Sequence, residues 1–275
     1  HFSLARAHDS LRVCATSRVH VRARFEGLQP QAGPPWEVVA GSLRYVARGP
    51  FEPAVEFVSP SPYVPRLESL RQYALASFPA GCPVAWGALD LMHRLHADFR
   101  YESQSTQVDT PVEEVFALRR GVCQDFAHLL IGCLRMLGLP ARYVSGYLLT
   151  HPPGEAADGG APLLGADASH AWVQVWCPGT PGVPQRVPRG DGDPAAMPAA
   201  HQAGWLALDP TNDLVPSIGH VRVAIGRDFG DVTPLRGVIR GGGRHELAVA
   251  VRTRVVHEAA GHPPGPPVAR SLHSA

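Results

Sequence analysis

The stretch Arg120-Gly121-Val122-Cys123-Gln124-Asp125-Phe126-Ala127-His128 decides how this chain is read, because it sets a cysteine where a loop turns into a helix. Downstream, Phe126, Ala127, Leu129, Leu130, Cys133, Leu134 and Leu137 follow the i, i+3, i+4, i+7 recurrence of a helix buried along one face. Gly138 supplies the stop, and Pro140 follows it. Gly121 carries no Cβ and permits a tight approach to the helix start. A thiol in the first turn of a helix faces unpaired N–H groups and the positive end of the macrodipole. Both favour thiolate, the nucleophilic form, over thiol. A buried helical cysteine without chemistry shows the same local pattern, so other segments have to decide.

Two segments do. Ser169-His170-Ala171-Trp172-Val173-Gln174-Val175-Trp176 reads as a strand, rich in Val and Trp, with His170 at its start. Trp205-Leu206-Ala207-Leu208-Asp209-Pro210-Thr211-Asn212 reads as a second strand that Pro210 ends just after Asp209. A cysteine at a helix start, a histidine opening one strand and an aspartate closing another supply the nucleophile, base and orienting carboxylate of covalent catalysis.

In that order these motifs resemble the transglutaminase-like superfamily, whose catalytic arrangement is papain-like. The likeness rests on Gly121 to His128, on Ser169 to Val173 and on Asp209-Pro210-Thr211-Asn212, and it extends over roughly residues 60 to 240. It is nearest to bacterial transglutaminase-like proteins with a β-rich N-terminal region. The resemblance implies an α+β fold, with the Cys123 helix packed on an antiparallel sheet carrying His170 and Asp209. It implies a thiol-dependent amide hydrolase or acyltransferase, with Cys123, His170 and Asp209 as catalytic residues and a protein or peptide substrate. Animal transglutaminases place Trp after the nucleophile; Gln124 stands there in this chain. The backbone N–H of Cys123 is a natural oxyanion donor, with Gln124, Tyr101 and Trp86 as candidates for the second, in falling order. Trp172 is a candidate cleft wall.

Composition sets the bounds. With 275 residues the chain has room for one large domain or two modest ones. A formal charge of +1 gives no bulk field for nucleic acid or an anionic membrane, and neither is expected as a partner. All 25 basic residues are arginine, which codon bias explains more simply than selection. The five cysteines, Cys14, Cys82, Cys123, Cys133 and Cys177, are odd in number and scattered, which argues against a disulfide framework. No paired spacing suggests zinc, and no metal or cofactor is expected. No apolar run reaches the ~18 residues of a membrane span. No signal-peptide pattern is visible, although the chain opens on His1 rather than Met. The expected compartment is the cytoplasm.

Along the chain, Leu11 to Ala15 and Arg18 to Phe25 alternate apolar with polar residues, and Phe51 to Val58 reads as a further short strand. Residues 1–62 are therefore expected to form a β-rich N-terminal portion, with Ser59 to Pro65 a stiff Pro-rich linker. Residues 63–258 form the core, and 259–275 a loose Pro/Gly-rich tail. Helices are expected over Leu67 to Ser77, Pro83 to Asp98 and, from a capping box with proline at its first position, Thr110 to Arg119. Ala141 to Leu148 and Glu246 to Glu258 read as strands, and the Gly/Pro-rich stretches 151–166 and 178–203 as loops bordering the site. Phe99 to Glu102 resembles the short strand or turn before the catalytic helix in the family, and Gly219 to Asp228 resembles the post-catalytic segment of the bacterial proteins. His93 and His96 could serve a site but read better as solvated or core residues, and Asp228 or Asp231 could hydrogen-bond near the site but read better as surface turn residues. The rival to the enzyme is a peptide-binding or scaffold module on the same fold. Loss of Cys123, His170 or Asp209 would favour it, and none is lost.

Overall fold

In the computed structural model the described residues are 8–49, 51–149, 164, 169–185, 203–233, 237, 238, 241, 246 and 248–256. The helices are α1 (Trp36–Ser42), α2 (Glu68–Leu75), α3 (Val84–Asp98), α4 (Val112–Leu118) and α5 (Cys123–Met136). The strands are β1 (Arg100–Tyr101), β2 (Arg120–Gly121), β3 (Ala141–Leu148), β4 (His170–Trp176), β5 (Trp205–Leu208) and β6 (His220–Gly226). Short 3-10 turns cover Pro30–Ala32, Pro53–Val58 and Phe229–Asp231.

The helix expected after Cys123 forms, and it is buried nearly all round rather than along one face. Phe126, Leu129, Leu130, Ile131, Cys133 and Leu134 all lie in the core. The helices α2, α3 and α4 pack against α5 together with β3 and β4. Truncating one of its leucines to alanine costs ~2–5 kcal/mol at such sites. The helix stops where the sequence puts Gly138: its N–H donates to Arg135 O at 2.9 Å, and Leu139 N to Leu134 O at 3.0 Å. The buried Arg135 then ties the surroundings together. Its guanidinium donates to the carbonyls of Phe57, Ala141 and Arg227 and to the Ser61 hydroxyl.

The main sheet is antiparallel, in the order β5-β4-β3-β6. β1 and β2 form a separate two-stranded parallel pair in which Tyr101 stands opposite Gly121. This delivers the mixed helix-and-sheet fold expected from the sequence, with an α-helix against an antiparallel sheet.

The N-terminal portion is different. Among the described residues no strand precedes Arg100, so the β-rich reading of residues 1–62 is corrected. Leu11, Val13 and Val19 are about half exposed (50%, 53% and 56%), and Phe51 to Val58 holds a 3-10 turn instead of a strand. Alternation makes a segment fit a half-buried pleat but does not provide the neighbouring strand that a ladder needs. Ser59 to Val64 is not a free spacer: Ser61 and Val64 exchange backbone hydrogen bonds, and Val64 is buried in the core. The final strand is corrected too, since residues 248–256 form none; Thr253 donates its hydroxyl to Leu148 O. The capping box before α4 also fails, because Pro111 is the cap residue and the Thr110 hydroxyl instead accepts from Gln107 N. Most of 151–166 and 178–203, and the tail 259–275, lie outside the described residues.

Candidate active site

Cys123 is the first residue of α5 and is half-buried. The chain enters the helix through a tight corner. Asp125 Oδ2 accepts from Val122 N at 2.8 Å and from the Thr106 hydroxyl at 2.6 Å, fastening the 102–110 loop to the helix start. Burial raises the Asp125 pKa, and these two donors oppose the rise. Gly121 is required here, because a Cβ on it would stand 2.6 Å from Asp125 Oδ2. As first-turn groups, the N–H groups of Cys123 and Gln124 have no partner within the helix.

His170 opens β4, and its ring is fully buried. Nε2 lies 2.8 Å from Asp209 Oδ2. Because an ionised carboxylate only accepts, this contact makes Nε2 the protonated nitrogen. The other ring nitrogen, Nδ1, is buried without a nitrogen or oxygen partner, and Cys123 lies beside the same ring. Burial disfavours the charged ring, but the Asp209 carboxylate and Cys123 outweigh it and lift the His170 pKa to about 10.

Asp209 follows β5 and is fully buried. The turn that Pro210 forces is closed on the carboxylate itself. Oδ1 accepts from Thr211 N at 3.0 Å and Asn212 N at 3.3 Å, and Oδ2 accepts from Asn212 Nδ2 at 2.9 Å. Burial resists the charge, yet His170 and His220 together hold the Asp209 pKa well below the usual carboxylate range. Residues far apart in sequence thus meet at one hydrogen-bonded centre.

That centre agrees with what the chain matches. The model of the transglutaminase-like superfamily matches residues 85–210, which include Cys123, His170 and Asp209. The chain belongs to the transglutaminase-like superfamily. An uncharacterized protein of Mycobacterium tuberculosis is 38% identical over 247 residues, covering 87% of this chain and 68% of the relative. A protein-glutamine gamma-glutamyltransferase of Pseudomonas aeruginosa is 30% identical over 137 residues, 49% of this chain and 16% of the relative. Among solved structures, a proposed cysteine protease of Cytophaga hutchinsonii is similar at TM-score 0.48 and 26% identity, covering 70% of this chain and 53% of that one. Among the described residues of this transglutaminase-like chain, no helix is long and apolar enough to cross a membrane.

The remaining candidates scatter. Gln124 donates its amide to Val108 O at 2.8 Å, which ties it to the 102–110 loop rather than leaving it aimed at the thiol. Tyr101 is half-buried beside Gly121, two residues from Cys123, and stays adjacent to the site. Trp86 is corrected as a site residue: it is 46% exposed and lines a surface depression with Ala76, Pro79 and Cys82, where none of the three site residues lies. Trp172 is corrected as a cleft wall. It is only 2% exposed and stacks on the His170 ring, with centroids 6.1 Å apart, because β4 is covered on both faces. His93 pairs with Asp213, pinning α3 to the turn beyond Asp209. Asp228 is no surface turn residue: it is buried and accepts from Tyr63 N and Gly230 N, holding Tyr63 and the Phe229–Asp231 turn beside His128.

Two residues at the centre were not singled out from sequence. Asn212 lies inside the Asp209 motif, and its side chain closes the turn. His220 opens β6 as His170 opens β4, and its Nε2 reaches Asp209 Oδ2 at 3.0 Å. That parallel between two strand-opening histidines was the available signal. His170, Asp209 and His220 also offer three ligand atoms within 4.8 Å of one another, the donor types of a two-histidine, one-carboxylate metal set. Both Nε2 atoms stand at hydrogen-bond distance from the same oxygen, however, and the thiol lies beside His170; we read the cluster as hydrogen-bonded.

Proposed function

We propose that this chain is a thiol-dependent acyl-transfer enzyme acting on amide bonds of protein or peptide substrates. The observation that carries the reading is the His170 ring, buried between the Asp209 carboxylate at 2.8 Å and the half-buried Cys123 at a helix start. Cys123 sulfur attacks the amide carbonyl carbon, and the first-turn N–H of Cys123 faces the oxyanion that forms. The C–N bond breaks as His170 gives its Nδ1 proton to the departing amine, leaving a thioester on Cys123. Asp209 keeps the ring in the tautomer and orientation that aims Nδ1 at the thiol. A second nucleophile, deprotonated by the now neutral His170, attacks the thioester and restores the thiol.

Water as that nucleophile gives hydrolysis, and an amine gives transfer. Hydrolysis is the outcome we favour, because transfer has to overcome bulk water at ~55 M by holding the amine and excluding solvent. Trp172 is buried behind His170 and does not wall an amine channel. Five free cysteines fit a reducing compartment, so the cytoplasm is the proposed location.

The test supplies a glutamine-containing peptide pool with a fluorescent primary amine, using Cys123→Ala as the blank. Released ammonia or cleaved peptide without labelled product is the expected result. Cys123-dependent labelling that outruns hydrolysis at millimolar amine would make amine transfer the main reaction. Neither product above the blank would refute the enzyme.

A further inference from the structure

Asp209 Oδ2 meets three donors: His170 Nε2 at 2.8 Å, Asn212 Nδ2 at 2.9 Å and His220 Nε2 at 3.0 Å. One carboxylate oxygen offers about two lone-pair sites. The three donors therefore divide the same charge, and each weakens the others. Oδ1 is already occupied by the N–H groups of Thr211 and Asn212, so the carboxylate cannot turn to relieve the crowding.

The arrangement is built by the fold. β6 pairs with β3, placing His220 opposite Leu148, and the register shifts between Ser145 and Gly146. Trp172 fixes the spacing of the two imidazoles: it stacks on His170 and meets His220 edge-on at 5.2 Å. Gly146 leaves the room for this, since a Cβ there would stand 2.5 Å from the Trp172 indole and 2.2 Å from Val221 O. The His220 side chain is only 4% exposed. The groups around the His170 ring are Cys123 from α5, Asp209 from the end of β5 and His220 from β6, while β3 contributes the uncharged Gly146.

We propose that His220 is a positioning residue that acts through Asp209: by sharing Oδ2 it limits the His170–Asp209 hydrogen bond and leaves the His170 ring able to release its proton to the departing amine. The inference rests on the acyl-transfer reading. Its physical basis is that an unshared carboxylate oxygen binds its one imidazolium more strongly, which raises the ring's hold on the proton it must deliver.

The test reads the shared bond directly. The His170 Nε2 proton, held by a buried carboxylate, gives a downfield proton NMR signal that is assigned by its loss in His170→Gln. His220→Phe and the shorter His220→Asn, which cannot reach Oδ2, both move that signal further downfield. His220→Gln, whose amide reaches the place of Nε2, returns it toward the wild-type position. A second arm compares a peptide amide with the matching p-nitrophenyl ester, whose leaving group needs no proton. His220→Phe lowers amide turnover at least ~10-fold relative to the ester, and His220→Gln recovers the ratio. An unmoved or upfield-moved signal, or equal loss on amide and ester, overturns the proposal. Selective alkylation of wild-type Cys123 reports separately on the acyl-transfer reading, so the two failures are distinguishable.

Discussion

Replacing Asp209 by asparagine removes the charge that holds His170 protonated and tests the centre most sharply. The wild-type ring titrates at about 10 against an ordinary 6.5, although burial alone pushes it down. That lift is worth on the order of 5 kcal/mol, supplied by Asp209 and Cys123 against the cost of burial. At pH ~7.5 the wild-type ring is almost wholly imidazolium, whereas a ring at its ordinary value would be about one-tenth charged. Burial, unopposed in Asp209→Asn, lowers that fraction further. The positive charge beside the Cys123 sulfur falls with it, so iodoacetamide alkylation of Cys123 at pH ~7.5 is expected to slow at least ~10-fold. The measurement is the pseudo-first-order rate by intact-mass spectrometry across a pH series, with circular dichroism confirming the fold. A profile superimposable on the wild type would refute the assignment of Asp209 as the group that charges His170.

Three further outcomes follow from the same geometry. Iodoacetamide near neutral pH should modify Cys123 ahead of the exposed Cys14 and of the buried Cys82, Cys133 and Cys177; burial pushes the Cys133 thiol up to about 12. His170→Ala should erase the preference, and peptide mapping of the alkylated sites reads the result. Stability should depend on pH through His170: its folded pKa exceeds the unfolded value, so its contribution is complete below pH ~6.5 and is lost as pH rises through about 10. Calorimetry should show Tm falling between pH ~7 and ~10, with a shallower slope in His170→Gln. Gly146→Ala should destabilise by ~1–3 kcal/mol and slow Cys123 alkylation, because the added methyl collides with Trp172 and Val221 O; a denaturation midpoint equal to the wild type would show that the neighbours yield without strain.

Local pattern determined the helix after Cys123, its stop at Gly138, the strands beginning at Ala141, His170 and Trp205, and the order of the three reactive residues. Each is written in consecutive side chains, as periodicity, a breaker or a capping position, so it is legible before any partner is known. Tertiary structure decided the rest. The alternation of Leu11 to Phe25 makes no strand, because pairing requires a second segment that no local pattern supplies. Trp172, read as a cleft wall, is covered from both sides of β4, and burial on a second face depends on what packs there. Asp228, read as a turn residue, is buried because the Phe229–Asp231 turn folds back on His128 and Tyr63. His220 stayed unrecognised because its role depends on the β3–β6 register and on one shift at Gly146, which together bring a second imidazole to the oxygen that His170 already uses. A hydrogen bond between residues on different strands is set by where those strands lie, and only the folded chain fixes that.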